Sequence, residues 1–152
     1  MGSVNNVSDL YPDSFSRFAI ATVKGAALTS TGNAVATLPV LGGGLTNTGS
    51  TTTGGRFIVR QITFANAQGT TPNTANVAIY TSNDGNASNI VTANTVLTNL
   101  TASTKYQDVS YTGTANTVIS SATTQAFYLC VNTVGGASST VDVTIYGDLV
   151  TF

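Results

Sequence analysis

The chain has 152 residues, the length of one domain, with 41% hydrophobic residues and a net charge of −1. Only 7% of its residues are charged, against a usual ~25%, and it contains no His, Trp or Glu. Five Lys and Arg neutralise too few phosphates for a nucleic-acid surface, and the wealth of β-branched residues excludes disorder of the whole chain.

Residues 1–17 hold no sustained period, because Asn, Ser, Asp and Pro12 interrupt it. Leu10, Tyr11, Phe15 and Phe18 are spread along this stretch and just beyond it. It reads as an extended N-terminal arm that orders on a neighbouring subunit or docking surface. The arm lacks the cationic and apolar regions of a secretory signal, so none is expected. Residues 18–152 read as a single β-sandwich domain.

Residues 18–24 (FAIATVK) predict the first strand. Residues 27–30 and 35–40 predict a hairpin around Thr31-Gly32-Asn33, with Pro39 confining its second piece to an edge or an end. Residues 41–55 are rich in Gly and Thr and read as a flexible surface loop, of a length that often marks a contact loop. They have no phosphate-binding Lys, and no helix follows a Gly-rich fingerprint.

Residues 56–67 (RFIVRQITFANA) predict a long strand. Neither of its faces is cleanly polar, so either a bulge lies near Arg60-Gln61 or both faces are covered. Residues 76–82 predict another strand, followed by an Asn83-Asp84-Gly85-Asn86 turn. That turn lacks the further oxygen ligands of a calcium loop, so no metal is expected. Residues 89–97, 105–111 and 117–120 complete the middle of the chain as strands.

Residues 126–149 (AFYLCVNTVGGASSTVDVTIYGDL) alternate most clearly. Phe127, Leu129 and Val131 oppose Tyr128, Cys130 and Asn132, and Val141, Val143 and Ile145 oppose Asp142, Thr144 and Tyr146. The Gly135-Gly136 pair between the two runs predicts a hairpin, one face of which needs a partner sheet. Eight or nine strands without a helical period define an all-β chain, an antiparallel β-sandwich. A jelly roll fits best, and an immunoglobulin-like sandwich without its Cys pair and Trp is the alternative.

The residues offer little chemistry for catalysis, and no enzyme activity or cofactor is expected. Cys130 reads as a buried packing residue with no His to activate it. Asp108 and Asp142 are expected to face solvent and form no recognisable dyad. Tyr80, Tyr106 and Tyr111 could supply an aromatic platform for sugar, although sheet packing is their commoner use. Arg56 and Arg60 either cap and solvate their strand or meet an acidic partner surface. A surface of neutral hydroxyls and amides repels its own copies weakly and suits close packing against other protein.

Three stretches together resemble small virion proteins of tailed bacteriophages: ATLPVLGG at 36–43, RFIVRQIT at 56–63 and VDVTIYGD at 141–148. Shorter likenesses at 78–81 (AIYT) and 128–131 (YLCV) keep the same order. The resemblance covers roughly residues 35–150 and implies a capsid decoration, or cement, protein with a jelly-roll body. It further implies a homotrimer bound to the major capsid protein on the outside of the virion, after synthesis in the host cytoplasm. No nucleic-acid or membrane partner is expected. The contact residues expected for the shell or for a second copy are Leu10, Tyr11, Phe15, Arg17, Phe18, Arg56 and Arg60. A fibre head, receptor-binding domain or carbohydrate-binding module is the alternative. The Gly- and Thr-rich insertion and the aromatic arm depart from the family pattern, leaving the mode of attachment open.

Overall fold

A computed structural model of the protein describes residues 17–40, 56–86, 90–109, 111, 119–120 and 126–150. In chain order the strands are β1 (Arg17–Ala27), β2 (Gly32–Pro39), β3 (Arg56–Gln68), β4 (Asn76–Tyr80), β5 (Ile90–Val96), β6 (Tyr106–Val109), β7 (Ile119–Ser120), β8 (Ala126–Thr133) and β9 (Thr140–Val150). A short 3₁₀ turn, Pro72–Thr74, precedes β4. The arm expected over residues 1–17 and the contact loop over 41–55 fall outside the described residues, apart from Arg17.

The strands form two antiparallel sheets, β1-β9-β3-β6 and β2-β8-β4-β5, with β7 extending the β6 side of β3. Setting the two-residue β7 aside, the pairs β1·β9, β2·β8, β3·β6 and β4·β5 are nested like the layers of one long folded hairpin. Rolling that hairpin so that β9 also meets β3, and β8 meets β4, gives the jelly roll.

Two expectations of local pairing are corrected. Strands β8 and β9 do not form a hairpin, because β8 pairs with β2 and β4 whereas β9 pairs with β1 and β3. They lie centrally in opposite sheets, and residues 134–139 cross from one sheet to the other. Likewise, residues 27–30 do not pair with 35–40. Residue Ala27 ends β1 in the first sheet, Gly32 begins β2 in the second, and 28–31 arch between them.

The core lies between the inner faces. Ile62, Phe64, Val141, Val143 and Ile145 from one sheet meet Leu38, Val77, Ile79, Phe127, Leu129 and Val131 from the other. Phe57 and Phe127 span the gap with ring centroids 6.1 Å apart and planes tilted by 59°. Of the two alternatives for β3 the structure shows the bulge: Val59 pairs with Gly147 and Gln61 with Tyr146, which leaves Arg60 as the extra residue. The bulge shifts the buried positions from Phe57 and Val59 to Ile62 and Phe64, which explains why neither face of this strand reads as polar.

At one end of the sandwich the four connections are tied together. The Leu28 N–H donates to Ser139 O (2.8 Å) and the Gly135 N–H donates to Leu28 O (2.8 Å). The Thr70 N–H reaches Ala137 O (3.2 Å), and Leu97 N–H reaches Ala75 O (3.0 Å). A Cβ on Gly136 would meet the carbonyl oxygen of Thr70, so this glycine serves the close approach of two connections. The opposite end receives the start of β1, the end of β2, the start of β3, the ends of β4 and β9 and the start of β8.

Candidate interaction surfaces

The outer face of the β1-β9-β3-β6 sheet carries a row of threonine hydroxyls that ends in a carboxylate. Thr22, Thr144, Thr63 and Asp108 occupy one row across its four strands, by backbone register. Their side chains form contacts along that row. The hydroxyls of Thr22 and Thr144 lie 3.2 Å apart, and Thr63 donates to Asp108 Oδ1 at 2.6 Å. In the next row Asp142 accepts the Gly25 N–H at a bulge in β1 (2.7 Å) and Asn66 Nδ2–H (3.0 Å). Asp108 and Asp142 therefore each hold a structural partner, and β3 lies between the strands that carry them.

All three arginines of the chain collect at one end of this sheet. Arg17 stands opposite Asp148 in β9, which is itself opposite Ile58 in β3. Arg56 is paired with Val150 and Ser120. Arg60, put forward by the bulge, donates through Nε to Asp148 Oδ2 at 2.6 Å. Its side chain is 39% exposed, so the ion pair is solvated and contributes about 0.2–1 kcal/mol. Arg60→Ala should therefore lower the unfolding free energy by under about 1 kcal/mol, a change measurable by urea titration.

The expected contact residues thus divide. Arg17, Phe18 and Arg56 are placed by backbone register alone, and with Arg60 they surround the end of β9. Phe18 is opposite Gly147. Leu10, Tyr11 and Phe15 lie outside the described residues, in the segment that leads into Arg17. Asp148, which pairs with Arg60 and stands opposite Arg17 in the backbone register, is not among the expected residues. Its only sequence signal is its place in the closing YGD run, and the tertiary pairing gives it this role.

The three tyrosines considered as a platform do not come together as one. Tyr80 is buried and packs with Ala78 and Cys130 in a small cluster on the outer side of the second sheet. Tyr111 packs against the main core. Tyr106 alone stands out, 65% exposed on β6.

Cys130 is buried, as expected, with its Sγ 3.4 Å from Asn132 Oδ1, and burial pushes its thiol pKa up. A thiol held protonated in this way is a poor nucleophile. Beside it, Asn33 Nδ2–H donates to Asp84 O at 3.0 Å and fastens the turn after β4 to the start of β2. Within that turn the Ser82 hydroxyl, then the Asn86 N–H, hold the Asp84 carboxyl below its ordinary pKa. Among the described residues no group of three or more His, Cys, Asp or Glu side chains is placed to hold a metal ion, and no helix is long and apolar enough to cross a membrane. No family model, no curated protein and no solved structure matches the chain.

Proposed function

We propose that the chain is a structural virion protein that decorates a bacteriophage capsid from outside and stabilises it, acting as a homotrimer on the major capsid protein. The observation that carries this reading is the arginine end of the sandwich. The chain enters β1 there from residues 1–16 and enters β3 there from residues 41–55, so both expected contact segments join the body beside Arg17, Arg56 and Arg60. The other end is closed by hydrogen bonds among its own connections, which supports a reading in which the arginine end is the docking side.

Two physical arguments support the reading. A cement protein performs no reaction and needs area, rigidity and repetition. Many weakly bound copies on one shell resist dissociation through avidity. A body with a net charge of only −1 packs beside its copies with little electrostatic repulsion.

The experiment is co-sedimentation of the purified protein with expanded phage heads, with and without residues 1–16. The truncated protein should keep the far-UV spectrum of the β body and bind heads about tenfold or more weakly, since the arm contributes contact only after docking. Unchanged affinity of the truncated protein contradicts the role of the arm. If the full chain ignores heads, and virions lacking it resist heat as well as wild type, the capsid reading fails.

A further inference from the structure

A broad surface depression of about 750 Å³ lies where β6 leaves the connection from β5. Asn99, Thr101, Thr104, Lys105, Tyr106 and Asp108 line it. Tyr106 is opposite Ala65 in β3, nine residues along from Arg56, which places the depression about 30 Å from the arginine end. We propose that this depression binds an uncharged oligosaccharide, with the Tyr106 ring as its stacking platform.

The first argument is the exposure of Tyr106. At 65% it is the most exposed large hydrophobic side chain among the described residues, although Gln107 and Val109 beside it in β6 are buried. Its alternation with them turns it away from the core, so core packing does not account for it. A tyrosine ring in water presents an apolar face with a polar tip, which suits a ligand that is apolar on one face and hydroxylated at its rim. A pyranose ring has that form.

The second argument is the surrounding polarity. Three threonine hydroxyls, of Thr98, Thr101 and Thr104, and the Asn99 amide both donate and accept, as sugar hydroxyls do. Lys105 and Asp108 have opposite charges, so the depression favours neither an anion nor a cation. One oxygen of Asp108 is held by Thr63 at 2.6 Å, which sets the carboxylate in position before any ligand arrives.

The third argument is the rigidity of the loop. The Gln107 side chain is buried, accepts the Asn99 N–H at 3.0 Å and donates to Val96 O at 2.9 Å. Leu97 and Leu100 are fully buried beneath it, and Leu100 N–H and Lys105 N–H close turns of 3.0 Å each. A loop anchored in this way loses little entropy on binding. The depression is open, which suits a segment of a longer glycan better than an enclosed small molecule.

The inference stands independently of the capsid reading. If both hold, the sugar site points away from the shell. The test is an array of neutral oligosaccharides probed with the full-length protein, followed by titration calorimetry of each glycan that binds. Wild type should bind at least one of them. Tyr106→Ala should weaken that binding about tenfold or more, and Tyr106→Phe, which keeps the ring, should retain most of it. Both variants should keep the wild-type melting temperature to within a few degrees, since the side chain is largely in water, and should keep their affinity for phage heads.

A silent array for the wild-type protein overturns the proposal, as does full binding by Tyr106→Ala. If Tyr106→Ala instead changes the sedimentation of the protein and leaves glycan binding intact, the depression is a contact between copies. Loss of head binding by the full chain with glycan binding preserved would remove the capsid reading and leave this one standing.

Discussion

Phe127→Ala should lower the unfolding free energy by about 3–5 kcal/mol, because the ring is fully buried and its removal leaves a cavity that the sheets cannot close. Phe127 projects from β8 and meets Phe57 of β3, so it is one of the side chains that hold the two sheets against each other. For a domain of this size the loss corresponds to roughly 6–20 °C in melting temperature. Denaturant titration gives the measurement, and an unchanged m-value would locate the effect in stability and not in the unfolded ensemble. A loss below about 1 kcal/mol would mean that this ring does not sit between the sheets.

Gly147→Ala should be comparably damaging for a different reason, costing about 3 kcal/mol or more through overpacking. Gly147 is buried in β9, between Phe18 of β1 and Val59 of β3. A Cβ there would meet the carbonyl oxygen of Ile58 and the end of Ile20. The Ile20 methyl can turn aside, but the Ile58 carbonyl belongs to the backbone of an adjacent central strand. Moving it disturbs the ladder at the β3 bulge. Gly25 is the control. It has φ +63° and nothing within 4 Å of the position of a Cβ, so Gly25→Ala meets only backbone strain, about 1–2 kcal/mol. Comparing the two melting temperatures separates steric from conformational cost, and a Gly147→Ala variant as stable as Gly25→Ala would refute the packing assigned to β9.

The two surfaces were legible in the sequence to different degrees. Arg56 and Arg60 lie four residues apart on one strand, which is plain from its residues. Their placement at the same sheet end as Arg17 and Asp148 depends on β9 lying between β1 and β3, a long-range pairing that no local pattern encodes. Tyr106 was one of three tyrosines of similar standing. The three environments differ because Tyr80 packs with Ala78 and Cys130, Tyr111 is partly buried against the core, and Tyr106 occupies an edge strand facing solvent. Gln107, which anchors the loop over the depression, carried no signal, since its partners are backbone atoms of Val96 and Asn99.

The sequence by itself determined where most of the strands lie and which faces of β8 and β9 turn inward. Period-two alternation places Phe127, Leu129, Val131, Val141, Val143 and Ile145 inside, and all six are buried. It narrowed β3 to a bulge near Arg60-Gln61 or two covered faces, and the pairing with β9 decided for the bulge. Which strand lies beside which was decided only by the tertiary structure. Alternation reports the face that a strand buries, and two successive strands bury the same faces whether they pair in one sheet or oppose each other across a core. For β8 and β9 the difference arises in residues 134–139, where Gly136 admits the carbonyl of Thr70 and Leu28 bonds to both Gly135 and Ser139, so that the chain crosses between sheets instead of turning back.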